Sequence, residues 1–197
     1  LNRSGIGYKL VGGLRFYDRA EVKDLISYIR VITNNHDDFS LKRIVNKPKR
    51  GLGKASVDKL ELAAHAHGTS IYEYIKTADT ATLESLVRKK NTVTLRQFIK
   101  DIEKVAIVAT ESTYEFIDVL EETFHLKDIY KGMQDEADRV LNIDEFYGLF
   151  RDFVKTQPES SLDEFLNELT LQSEQDQVEG ESIYMMSIHA SKGLEFE

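Results

Sequence analysis

Between Ala20 and Thr33 the apolar residues Val22, Leu25, Ile26, Ile29 and Ile32 recur at spacings of three and four, the period of one helix face. The turn formers of 34–38 break that pattern. A short helix is expected over 40–46, ending before Pro48, whose ring disfavours helical backbone in the residue ahead of it. The next helix runs over 54–67 and stops at Gly68, and Thr69-Ser70 caps another through Ile75 with Glu73 in its first turn. Residues 77–92 read as a polar linker with one helical turn. Leu95, Phe98, Ile99, Ile102, Val105 and Ala106 then form a long stripe over 94–110. Helices are expected over 113–124, 127–133, 137–155 and 161–171, followed by an acidic linker over 172–182. Only near the two ends does the pattern become strand-like, at Tyr8–Val11 and Ile183–Met186. The expected fold is mainly α: about eight helices between two strands that could share one sheet, with the helical middle inserted into it. No internal repeat is evident.

Composition narrows the class without naming a function. A chain of 197 residues, 41% hydrophobic and 30% charged, is ordinary for a globular protein of one large domain, or of one domain and part of another. It has no apolar run of about 18 residues, so no membrane partner is expected. It also lacks a basic-then-apolar leader pattern at its start. With no cysteine, disulfides and thiolate metal sites are excluded, and a reducing, cytoplasmic setting is expected. The net charge of −8 argues at first against a nucleic-acid partner. Its distribution argues otherwise: residues 1–60 hold 13 Lys and Arg against 6 Asp and Glu, while the remainder holds 13 against 28. Screening confines attraction to phosphate to roughly 10 Å, so a basic third can bind DNA while the acidic part faces elsewhere.

The densest basic stretch is Lys49-Arg50-Gly51-Leu52-Gly53-Lys54, between two expected helices. Paired glycines permit close approach of backbone to a ligand. The amides of Ala55 and Ser56, at the start of the next helix, could hold a phosphate, and the flanking cations add an attraction indifferent to base sequence. This is the logic of a helix-hairpin-helix, although an ordinary basic turn would have the same composition. A nucleotide-binding P-loop is excluded here, because Pro48 stands where its first glycine is needed and Ala55 replaces the Mg²⁺-binding hydroxyl. No other P-loop pattern occurs in the chain, so no ATP hydrolysis is expected of it alone.

Three blocks carry a family resemblance. Ser187-Ile188-His189-Ala190-Ser191-Lys192-Gly193-Leu194-Glu195-Phe196 resembles motif V of the UvrD/PcrA/Rep-type superfamily-one DNA helicases, and Gly7–Arg19 with Glu21–Leu25 resembles their block IVa. Arg43–Gly53 is similar to their Asn-x-Pro-x-Arg-Gly-Ile-Gly segment, nearest the PcrA branch. Departures are small: Leu52 for the usual isoleucine, and His36 and Glu197 where proline is frequent. The resemblance implies a helical subdomain, 2B, over 36–180, inserted in a RecA-like α/β subdomain, 2A. Only edge pieces of 2A would be present, at 1–35 and at 181–197 with motif V. It also implies hinges near 34–37 and 177–181, and duplex-DNA contact through Lys49, Arg50, Gly51, Leu52, Gly53, Lys54, Ala55 and Ser56. Ser187 and His189 would line the single-strand track, and Gly193 and Glu195 would approach the nucleotide. Lys192 could equally pair with a carboxylate.

The parent protein would be an ATP- and Mg²⁺-dependent 3′-to-5′ helicase of repair and replication, of which this chain, expected to be monomeric and to bind neither cofactor by itself, is a piece. A second reading makes the acidic helices a docking face for repair or transcription proteins. A third, the nuclease-fused recombination helicases, shares a similar motif V. Other constellations read as structural. His65 and His67, two apart on a helix, point to different faces and lack a third metal ligand nearby in sequence. The pairs Glu121-Glu122, Asp135-Glu136 and Asp163-Glu164 read as solvated helix faces. Phe16 reads as core, while Arg15 and Arg19 could meet phosphate or a neighbouring subdomain.

Overall fold

The computed structural model describes residues 8–11, 16–175 and 183–186, with side chains described over 16–171. The fold is mainly helical. Strand β1, Tyr8–Val11, pairs in parallel with β2, Ile183–Met186, with Tyr8 opposite Ile183 and Val11 opposite Met186. Parallel neighbours need a long crossover, and here it is the entire helical segment.

That segment holds α1 (Ala20–Thr33), α2 (Asp38–Ile44), α3 (Lys54–Ala66), α4 (Ile71–Thr77), α5 (Thr80–Leu86) and α6 (Lys89–Glu111). It continues with α7 (Thr113–Phe124), α8 (Glu136–Thr156) and α9 (Leu162–Gln175). Helix α1 is central: nine of its fourteen residues are buried, and α2, α6, α8 and α9 all pack on it. Among the described residues, five side-chain caps fix where helices begin. Asp37, Ser70, Asp79, Ser112 and Ser161 each accept a bond from the amide three residues on, satisfying a donor that the helix leaves unpaired. Two aromatic groups anchor the core. Tyr28, Phe98 and Phe124 meet where α1, α6 and α7 converge, while Phe165 of α9 sits 4.9 Å from Phe150, 5.2 Å from Phe153 and 5.7 Å from Phe146 of α8.

Two expectations are corrected. The stretch 77–92 is mostly helical, because Asp79 caps α5 and α6 begins at Lys89, five residues earlier than its apolar stripe predicts. The helix expected over 127–133 is a short 3₁₀ run, Leu126–Tyr130, entered through His125 in the left-handed region at φ 49°. Arg15 and the hinge expected near 177–181 lie outside the described residues.

Candidate nucleic-acid interface

Helices α2 and α3 are joined by residues 45–53, and the loop is tied down from inside. The Asn46 Oδ1 accepts the amides of Arg50 at 2.7 Å and Leu52 at 3.2 Å, and its Nδ2 donates to the Leu52 carbonyl at 2.6 Å. Gly51 adopts φ +75°, a region that L side chains rarely occupy, and a Cβ there would come within 3.2 Å of Asn91 Oδ1. From the start of α6, Asn91 Nδ2 donates to the Gly51 carbonyl at 2.9 Å. Leu52 is 4% exposed and belongs to the core.

Arg50 points the same way. Its Nη1 donates to the carbonyls of Ile44, Val45, Lys47 and Pro48 at 3.0 to 3.3 Å, and its Nη2 to the Tyr28 hydroxyl at 3.1 Å. The guanidinium carbon lies 4.2 Å from the Phe98 ring centroid, close enough for cation–π attraction. Tyr28 in turn donates to the Lys47 carbonyl at 2.5 Å, and burial pushes its phenol up to about 12 despite the opposing Arg50 charge. The eight residues assigned to duplex contact from sequence therefore divide. Arg50 and Leu52 face inward and shape the loop, because a planar five-donor group is the side chain able to collect several carbonyls at once.

Lys49, Gly51, Gly53, Lys54 and Ala55 remain exposed, and Ser56 is half-buried. Gly53 begins α3 with no side-chain cap, and its carbonyl takes the amides of Ser56 at 3.0 Å and Val57 at 3.2 Å. The amides of Lys54 and Ala55 have no acceptor among the described residues. Gly53 itself has ordinary extended dihedrals, and an added Cβ would meet nothing within 4 Å. The fold makes no demand for glycine there. Neither Lys49 nor Lys54 makes an ion pair among the described residues.

Behind the loop, two buried carboxylates of α1 gather cations. Asp24 accepts from Arg43 Nε at 2.6 Å, Lys47 Nζ at 2.6 Å and the Tyr130 hydroxyl at 2.9 Å. Burial, and secondarily the Asp24 charge, raises the Tyr130 phenol well above its ordinary value. Glu21 accepts from Arg139 at 2.8 Å and Asn142 at 2.6 Å. Arg19, one of the two arginines left open from sequence, donates to Asn142 Oδ1. Phe16 is partly buried against the core. His67 has a local role, its Nδ1 lying 2.8 Å from the Ala63 carbonyl and its ring 5.1 Å from that of Tyr74. Sequence reading missed Tyr28 and Asn91 altogether and met Asn46 only as the first residue of a motif, with no role, since a lone Asn or Tyr carries no signal until its partner is known. Ser187, His189, Gly193 and Glu195, expected along the single strand and at the nucleotide, lie outside the described residues.

Over residues 1–197 the chain matches the model of the UvrD-like helicase C-terminal domain, and it belongs to that family. It is 36% identical to the ATP-dependent DNA helicase PcrA of Staphylococcus epidermidis over 98% of its own length. The same identity and coverage hold for the PcrA helicase of Staphylococcus aureus. The chain spans 27% of the length of these relatives.

Proposed function

We propose that this chain is the duplex-gripping part, subdomain 2B with adjoining pieces of 2A, of an ATP-dependent 3′-to-5′ DNA helicase. The observation that carries the reading is the hairpin at 49–56, whose outer face is exposed backbone and cations with no ion pair among the described residues, and which is hydrogen-bonded from within. An uncapped helix start presents the Lys54 and Ala55 amides, which suit a phosphate oxygen. Lys49 and Lys54 add charge, and none of these groups reads a base. Gly51 keeps the loop's shape, and Gly53 leaves the space a sugar-phosphate backbone needs. Membership of the UvrD-like family supports DNA as the partner, and the PcrA relatives support ATP and Mg²⁺ as cofactors of the whole protein. The chain alone, without a P-loop, hydrolyses no ATP in this reading.

Gly53→Ala in the full-length protein separates grip from fold. Its stability changes by less than about 1 kcal/mol, because the only cost is a poorer helix start. Affinity for a blunt duplex, measured by fluorescence anisotropy at about 50 and 200 mM salt, falls at least about tenfold at the lower salt, where phosphate contacts weigh most. Single-strand affinity stays unchanged. Wild-type duplex affinity in Gly53→Ala would overturn the assignment and favour the docking face for other proteins.

A further inference from the structure

Arg88, Lys89 and Lys90 stand in succession at the start of α6, all exposed and all without an ion pair among the described residues. Glu84 and Asp58, carboxylates on the neighbouring α5 and α3, make no ion pair with them. Three adjacent unpaired cations repel one another, and a solvated surface gains nothing in fold stability from them. Their place is also fixed. The Asn91 amide donates to the Arg88 carbonyl at 2.7 Å, and the Asn91 side chain, 7% exposed, holds the Gly51 carbonyl at 2.9 Å. At about 1.5 Å of rise per residue, the three cations begin within roughly 5 Å of that bond along the helix. A duplex carries one phosphate charge per about 1.7 Å of axis, so the hairpin and this turn fit inside one short stretch of backbone.

We propose that Arg88, Lys89 and Lys90 form a second phosphate contact for the duplex, held beside the Gly51–Gly53 hairpin by the Asn91–Gly51 hydrogen bond. The inference rests on the duplex reading of the hairpin and extends it. The grip has two strands of attachment, α3 and α6, and the second is set by a residue 40 positions away in sequence. Cations from a second helix widen the footprint and resist rotation of the duplex about a single point.

The test uses the full-length protein with the variant R88Q/K89Q/K90Q and, separately, K49Q/K54Q. Duplex affinity is followed across about 50 to 200 mM salt, where each lost phosphate contact makes the log–log slope shallower by about 0.9. A triple variant with weaker duplex binding, a slope shallower by at least about one contact's worth, an unchanged melting temperature and unchanged single-strand affinity is the expected result. A wild-type slope and affinity in the triple variant, while K49Q/K54Q weakens binding, would overturn the second contact and leave the hairpin reading standing. Wild-type behaviour in both variants would sink the two together.

Discussion

Arg50 shows how much one side chain can organise. Four carbonyls, a phenol hydroxyl and an aromatic face converge on its guanidinium; the carbonyls of Ile44 and Lys47 also take the Lys47 amide and the Tyr28 hydroxyl, whereas those of Val45 and Pro48 depend on Arg50 among the described residues. A lysine keeps the charge but has neither the planar fork nor five donors. Arg50→Lys should therefore destabilise the protein by about 2 kcal/mol, read from urea unfolding, as expected for lost charge-assisted bonds. A change under about 0.5 kcal/mol would mean the carbonyls are solvated and the inward role is wrong. The neighbouring glycines differ for a physical reason. Gly51 is required by its own backbone, whereas Gly53 is required only if something outside the protein comes close.

At the scale of elements, the caps decide boundaries that periodicity blurs. Ser70 is 6% exposed and accepts the Glu73 amide at 3.2 Å, so α4 starts where its sequence says it should. Ser70→Ala should cost about 1 kcal/mol, with loss of amide-exchange protection confined to the first turn of α4. Unchanged stability and protection would show that burial of Ile71 and Tyr72, with the Ile71 amide donating to Asp38 Oδ1 at 2.8 Å, is enough to set that helix start. Helix α5 teaches the opposite lesson. Its polar sequence buries Leu83 and half-buries Leu86, too little for a periodic signal, yet Asp79 caps it and Arg96 of α6 donates to the carbonyls of Lys76 and Ala78 ahead of it. Its existence depends on α6 being alongside.

Across the whole molecule, stability is shared between the group around Arg50 and the phenylalanine group joining α8 and α9. Phe165, 1% exposed, is the only aromatic residue described in α9 and touches three rings of α8. Phe165→Ala should cost about 3–5 kcal/mol, the usual range for removing a buried aromatic side chain. Because α9 also packs on the central α1, denaturation should remain one transition by circular dichroism and by fluorescence alike. Two separated transitions would show that α9 is an appendage rather than part of the bundle.

The helical class, most helix spans, the strand character of Tyr8–Val11 and Ile183–Met186, and the basic glycine hairpin are all legible in the order of residues. Those features rest on local free energy: periodic burial, caps and turn chemistry are written in neighbouring residues. That order also places cations at 49, 50 and 54, but not which of them faces outward. Only tertiary structure turned Arg50 inward, set Asp24 and Glu21 among cations drawn from other elements, and brought Asn91 to Gly51. The physical reason is that a charged or amide side chain has no preferred partner until distant segments meet. Its bond with a residue 40 or 118 positions away, as for Asn91 and Arg139, leaves no periodic trace in the chain.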